Sequence, residues 1–283
     1  LIERKLNMFN KVVLVTPFKY SFNNFNYLYI QLNNILNLNV NFDSWHIIIA
    51  NSHNLSKNLL YYIESEINKL LIHYDYEIYL EKSEKEHPAH LKAEFFEKMK
   101  KEYGDGDYVN IFYVSLDCDR VFEYNNFANL INSLTSTNKK FIIYPVVDII
   151  NARMYYNYIS KEIGEEEYYK IVDKYGYAVL PYIKLKFNKD NYFIETKIGG
   201  SGFAIHHTAL TDDRINLLKE FEEHVRGHDV LLADTFNKKY ILTDSWALHL
   251  GVGNYDSYWK ETDKRASNLF IKYGGKNERK NYI

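Results

Sequence analysis

The chain has one cysteine and no sustained apolar run, and each scarcity removes a class of protein. A lone Cys118 cannot close an intrachain disulfide or build a cysteine-based zinc site, which favours a reducing compartment over secretion. No stretch approaches about 18 consecutive apolar residues, so no membrane-spanning helix is predicted. Leu1 to Met8 lacks the apolar core of a signal peptide, and Met8 is a candidate natural start. The expected location is the cytoplasm, free or peripheral to a membrane. An excess of either charge is also missing: 35 Lys and Arg face 37 Asp and Glu, a formal net charge of −2. That argues against a protein whose main task is gripping nucleic-acid phosphates, although a local basic patch remains compatible with it.

What is present suits a folded chain. Of 283 residues, 46% are apolar, enough for a substantial core, and 17% aromatic content with balanced charge excludes disorder. The first half alternates strands and helices. Val12-Val13-Leu14-Val15 reads as a buried parallel strand closed by Thr16-Pro17, and Trp45 to Ala50 as a second, stopped by the turn-prone Asn51-Ser52-His53-Asn54. Leu59, Leu60, Ile63, Ile67, Leu70 and Leu71 line one helical face. Strands are predicted at Tyr76 to Leu80, Tyr108 to Leu116 and Phe141 to Val147, with helices over His90 to Lys101 and around Phe127 to Leu134. This alternation implies βαβ crossovers and a mainly parallel sheet.

The second half is less regular. A helix is expected over Arg153 to Tyr175 and a hairpin from Tyr182 to Lys186 and Tyr192 to Lys197. A short strand follows at Phe203-Ala204-Ile205, then a helix through Ile215, Leu218 and Val225 that Gly227 should terminate. The whole reads as one domain over 1–283, with a regularly alternating half (11–147), a less regular half (148–258) and a tail (259–283).

The residues that stand out for chemistry are Asp117-Cys118-Asp119, at the end of an apolar strand. Ligands of open α/β sheets bind beyond the carboxyl ends of the strands. Two carboxylates so close repel unless a cation sits beside them, and Mg²⁺ or Mn²⁺ with a diphosphate suits such ligands. The plainer reading is a pair of acids capping the next helix. Cys118 between two carboxylates is a poor nucleophile. His224 and His228 are spaced like a zinc-binding helix but lack its glutamate, and Gly227 breaks the helix, so a metalloprotease is rejected. His206-His207 should place one ring on each face of a strand, and Asp212-Asp213 should cap a helix. The tail residues Lys276, Arg279 and Lys280 read as a solvated end.

Taken in order, four landmarks resemble a glycosyltransferase of the GT-A fold, nearest in pattern to family 2. They are Thr16-Pro17-Phe18 closing the first strand, Asp117-Cys118-Asp119, Gly199-Gly200-Ser201-Gly202-Phe203, and Gly227-His228-Asp229-Val230-Leu231-Leu232. The resemblance covers roughly Lys11 to Tyr258. It implies an α/β nucleotide-diphospho-sugar transferase fold, with a mainly parallel central sheet flanked by helices and a smaller acceptor-side sheet. It also implies a metal-dependent hexosyltransferase that inverts the anomeric centre, with a UDP-sugar as the favoured donor.

By this resemblance Thr16, Pro17, Phe18, Asn51, Lys92, Asp117, Cys118 and Asp119 bind the nucleotide-sugar, and Gly200, Ser201, Gly202 and His228 lie on the acceptor side. Asp119 and His249, with Asp117, would hold Mn²⁺ or Mg²⁺, and Asp229 would act as the base. Two departures stand out: Asn51-Ser52 replaces the family's acid after the second strand, and His228 replaces the glutamate before the base. The acceptor is open among glycans, lipid-linked sugars, proteins and small molecules, with a modified DNA base disfavoured by the net charge.

Three other readings stay open. One is a haloacid-dehalogenase-like phosphatase with Asp117 as nucleophile, which three preceding strands argue against. Another is a sugar-nucleotide pyrophosphorylase, whose glycine-rich first loop is missing. The third is a non-catalytic glycan-binding relative of the GT-A enzymes.

Overall fold

The computed structural model describes residues 9–104, 109–148, 193–196, 202–221, 227–242 and 245–250. In chain order its main elements are β1 (Phe9–Phe18), α1 (Phe22–Asn37), β2 (Ser44–Ile49), α2 (Lys57–Leu71), β3 (Ile78–Lys82), α3 (Pro88–Tyr103), β4 (Val109–Ser115) and β5 (Arg120–Val121). There follow α4 (Tyr124–Thr135), β6 (Phe141–Ile143), β7 (Val146–Asp148), β8 (Phe193–Thr196), β9 (Phe203–His206), α5 (Asp212–Lys219), α6 (His228–Asp234), β10 (Lys239–Leu242) and β11 (Ala247–His249). The helix expected over 153–175, the strand at 182–186, Gly200, Ser201, His224 and the basic tail lie outside the described residues.

Strand β1 shows why the layers form. It pairs in parallel with β2 on one side and β4 on the other, so both faces need cover. Its side chains alternate between two cores. Val12, Leu14 and Phe18 join Leu28, Leu32 and Ile35 of α1 and Phe127 and Leu130 of α4. Val13 and Val15 join Phe95, Phe96 and Met99 of α3 and Leu217 and Leu218 of α5. Strand β4 repeats the division, Phe112 and Val114 against Ile111 and Tyr113. The result is helices on both faces of an eight-stranded sheet ordered β3-β2-β1-β4-β9-β6-β10-β8. Strand β9 runs antiparallel to both β4 and β6, and β8 antiparallel to β10; the other pairings are parallel. A second sheet of three short strands, β5-β11-β7, lies beside it.

The expected α/β architecture is therefore the one adopted, with differences in detail. Helix α1 was not anticipated: its many asparagines dilute a stripe formed by Phe25, Leu28, Leu32, Ile35 and Leu36, and Ser21 Oγ caps it by accepting from Asn24 N–H. The run from Phe141 to Val147 is not one strand. Pro145 has no N–H for a ladder, and the chain crosses there from the large sheet (β6) to the small one (β7). Gly227 begins a helix rather than ending one; at φ 89° it is the N-cap of α6, while α5 already stops at Lys219. Thr211, not the aspartate pair, caps α5, with Asp212 and Asp213 in its first turn. His206 closes β9 and His207 opens a short 3₁₀ turn, so the two are not on opposite faces of one strand.

Gly202 meets a close approach of a different kind. A Cβ there would lie 2.5 Å from Tyr144 Cε2 and 2.7 Å from the Tyr144 carbonyl oxygen. Tyr144 is fully enclosed, and its hydroxyl donates to the carbonyl of Ser115, the last residue of β4. The missing side chain at 202 thus lets Tyr144 brace the end of β4. Gly202→Ala should destabilise the fold by about 3 kcal/mol, read from the urea midpoint, because one of the clashing atoms is backbone and cannot rotate away.

Candidate functional site

Beyond the carboxyl end of β4 the chain makes a tight turn through Asp117-Cys118-Asp119 and enters β5. Leu116 N–H still donates to the Val15 carbonyl at 2.9 Å, and Arg120 N–H closes the turn on the Asp117 carbonyl at 3.2 Å. Two amides of α1 hold this turn from beneath. Gln31 Nε2 donates to the carbonyls of Asp117 (2.6 Å) and Arg120 (2.8 Å). Asn34 exchanges two hydrogen bonds with the backbone of Phe122, its Nδ2 donating at 2.9 Å and its Oδ1 accepting at 2.8 Å. On the other side β11 pairs with β5, placing His249 opposite Arg120, and Leu250 N–H donates to the Asp119 carbonyl at 2.9 Å.

The side chains of the turn are ion-paired. Arg120, almost wholly buried, donates from Nη1 to Asp119 Oδ1 and from Nη2 to Asp117 Oδ2, each at 2.9 Å. Asp119 Oδ2 lies 2.8 Å from His249 Nε2. Burial pushes the Asp119 carboxyl up, but the His249 contact and the Arg120 charge outweigh it and hold the group below its ordinary value. Burial and then the two flanking carboxylates raise the Cys118 thiol far above the ordinary cysteine range.

A second cluster joins this one through Lys92 of α3. Its ammonium has no exposure to solvent; it donates to Asp229 Oδ1 at 2.8 Å, lies 3.0 Å from His228 Nε2, and reaches within 3.8 Å of Asp117 Oδ1. His228 Nε2 is also 2.9 Å from Asp229 Oδ1. The Asp229 carboxyl is pushed up by burial and pulled down more strongly by His228 and Lys92, so it stays ionised well below the usual carboxylate range. Its Oδ2 has no hydrogen-bond partner among the described residues. The His228 ring packs edge-on against His87 and Phe221, with centroids 5.6 and 5.8 Å away.

The structure thus brings Lys92, Asp117, Asp119, His228, Asp229 and His249 together from segments up to 157 positions apart in numbering (92 to 249). It places other candidates elsewhere. Thr16 and Phe18 are completely buried: Thr16 Oγ1 accepts from Trp45 Nε1–H at 2.9 Å, and Phe18 packs near Phe25 in the core. Pro17 is buried too. These side chains are committed to packing. Asn51, at φ 50°, lies at the carboxyl end of β2, with its N–H on the Lys85 carbonyl and its Oδ1 accepting from Asn54 Nδ2. Sequence reasoning missed Arg120, Gln31, Asn34 and Tyr144. Only Arg120 carried a signal, being the cation nearest the paired acids in the chain.

The donor set fits a small divalent ion in a limited way. Among the described residues no group of three or more His, Cys, Asp or Glu side chains could hold a metal. Asp119 Oδ2 and His249 Nε2 do converge as a carboxylate–imidazole pair. Mg²⁺ and Mn²⁺ accept one or two protein ligands when phosphate oxygens and waters complete the shell, so these two side chains suffice with a bound diphosphate.

No family model and no curated protein matches the sequence. Among solved structures the fold is similar to that of S. aureus TarS. Against TarS 1-349 the TM-score is 0.50 at 10% identity, covering 93% of this chain and 65% of that one. Against TarS 1-349 in complex with UDP-GlcNAc it is 0.52 at 12% identity, covering 93% and 66%. A longer TarS chain gives 0.50 at 11% identity, with 39% of it covered. The chain therefore spans less than two thirds of the length of each of these neighbours. At these identities the likeness establishes the fold, a GT-A-type α/β arrangement with a large central sheet flanked by helices.

The buried Lys92–Asp229 pair sets a pH-dependent stability term. The Asp229 pKa is depressed on folding, so its stabilisation is complete above the unfolded value near 4 and declines as pH falls from there towards the folded value. Asp229→Asn should cost about 3–5 kcal/mol at pH 6, since it removes the nearer of the two carboxylates that meet a buried ammonium. The gap from the wild type should narrow below about pH 4, as urea denaturation at several pH values would show.

Proposed function

We propose that this chain is a nucleotide-sugar glycosyltransferase, moving a hexosyl group from a nucleotide-diphospho-sugar to an acceptor hydroxyl. The observation that carries the reading is the joining, through one buried lysine, of an Asp-x-Asp turn at the carboxyl edge of the sheet to a separate ionised aspartate. The GT-A-type fold supports it, and the complex of a structural neighbour with UDP-GlcNAc favours a UDP-sugar as donor. Membership of family 2 and inversion at the anomeric carbon are part of the same proposal.

In this reading Asp117, the most accessible of the three acids at 32% side-chain exposure, receives a ribose or sugar hydroxyl on the oxygen that Arg120 leaves uncovered. Asp119 and His249 would hold Mn²⁺ or Mg²⁺. When bound, such an ion supplies positive charge for the departing diphosphate. Asp229 takes the acceptor proton on Oδ2, its Oδ1 being held by Lys92 and His228. So depressed a carboxylate is a weak base at rest, which suits proton transfer concerted with attack rather than before it. His228, beside it, lies on the acceptor side, with Gly202 immediately before β9, the strand between β4 and β6.

Calorimetric titration of UDP and of GDP, each with and without Mn²⁺, is the direct test. Micromolar UDP binding that needs the metal and disappears in Asp119→Ala is the expected result. Absence of binding by either nucleotide under every condition would overturn the proposal, and Asp117-dependent phosphate release would then point to a phosphatase. Once a donor is known, Asp229→Asn should lower turnover about 10²-fold or more, a far larger factor than its effect on nucleotide affinity.

A further inference from the structure

Arg120 does something that two metal-binding acids do not require. Carboxylates two residues apart repel, and an external cation is the usual remedy. Here the fork of a guanidinium spans the gap, one nitrogen on each acid at 2.9 Å. The arginine cannot leave easily. Its backbone is paired to β11 across from His249, its carbonyl accepts from Gln31, and its side chain is 7% exposed. It stays charged at every relevant pH, and a buried guanidinium deprived of its partners is costly. Lys92 adds a second fixed cation 3.8 Å from Asp117. Against the three carboxylates of Asp117, Asp119 and Asp229, these two fixed cations leave one carboxylate charge uncompensated by lysine or arginine.

We propose that Arg120 is a built-in counter-cation that orders the Asp-x-Asp turn in the absence of metal and weakens its affinity for a free divalent ion. The inference rests on the metal-binding part of the proposed function. The guanidinium occupies Asp119 Oδ1 and Asp117 Oδ2, so among the described residues an incoming ion is left Asp119 Oδ2 with His249, and Asp117 Oδ1 facing Lys92 at 3.8 Å, with a fixed positive charge beside each carboxylate. Coulomb repulsion between them falls only as the inverse of distance and is strengthened by burial. A diphosphate brings the negative charge that the turn itself lacks. The ion and the nucleotide should therefore enter together, with free ion bound poorly.

The test is Mn²⁺ binding without nucleotide, by calorimetry and by the loss of the free-ion electron-spin signal, in wild type, Arg120→Gln and Arg120→Lys. Thermal denaturation of each variant accompanies it. Arg120→Gln, which removes the charge, should bind Mn²⁺ at least about tenfold more tightly than the wild type. Arg120→Lys, which keeps the charge and loses the fork, should stay within about threefold of the wild type and melt earlier. An arginine with a merely structural role would give the opposite sign, since disorder of the turn weakens binding. Unchanged, weaker or undetectable Mn²⁺ binding in folded Arg120→Gln would overturn the inference. Should that variant fail to fold, a tenfold gain in Arg120→Lys would overturn it and near-wild-type affinity would support it. None of these readings uses a nucleotide, so failure here is distinct from failure of the UDP titration.

Discussion

The buried ammonium of Lys92 is the contact on which the site depends. It sits on α3, with Asp229 at the start of α6 on one side and Asp117 at the end of β4 on the other. Taking a lysine completely out of water is unfavourable unless charges of opposite sign meet it, and here two do. The same geometry holds Asp229 ionised and couples helices from one face of the sheet to the turn at its edge. Without this lysine the three acids would be brought together with Arg120 as the one buried cation between them among the described residues.

Around this contact the fold supplies rigidity from neutral groups. Gln31 and Asn34 present amides from α1 to the backbone around the acidic turn, and Tyr144 donates to the last residue of β4 from a niche that Gly202 keeps open. These bonds fix main-chain carbonyls and N–H groups and leave the acids themselves to ionic partners. The small sheet adds the last piece, since β11 hydrogen-bonds to β5 and thereby places His249 against Asp119. Backbone pairing thus determines which imidazole meets which carboxylate.

The organisation has a chemical logic. In the proposed function one group of residues, Asp117, Asp119 and His249, would offer oxygen and nitrogen to a cation or to hydroxyls. The other, His228 and Asp229, presents a carboxylate whose Oδ2 has no hydrogen-bond partner among the described residues. A reaction that separates a charged leaving group from a proton needs such a division, with the two functions close but electrostatically balanced. The pairing with Arg120 and Lys92 is what makes so many acids compatible with a buried location.

Much of this was legible in the sequence. Strands β1 and β2 carry runs rich in β-branched residues, Val12 to Thr16 in one and Ile47 to Ile49 in the other, because a strand covered on both faces has no polar side to show, and the paired acids at the end of β4 announce themselves by type and place. Lys92, Asp229 and His249 could be nominated only through the order of motifs along the chain. Their mutual contacts were not legible, since an amphipathic helix conceals which of its lysines is buried and local pattern says nothing of partners 137 residues away. Helix α1 and the sheet change at Tyr144-Pro145 were hidden for the same reason: diluted periodicity in one case, and in the other a strand whose partner, not composition, sets its sheet. The sequence by itself determined the α/β alternation and the chemical types at the sheet edge, because those follow from side-chain period and β-branching. Tertiary structure alone decided that Arg120 grips both acids, that Lys92 is spent on Asp229 and that Thr16 and Phe18 face the core, because ion pairing and burial are set by chain segments that meet only on folding.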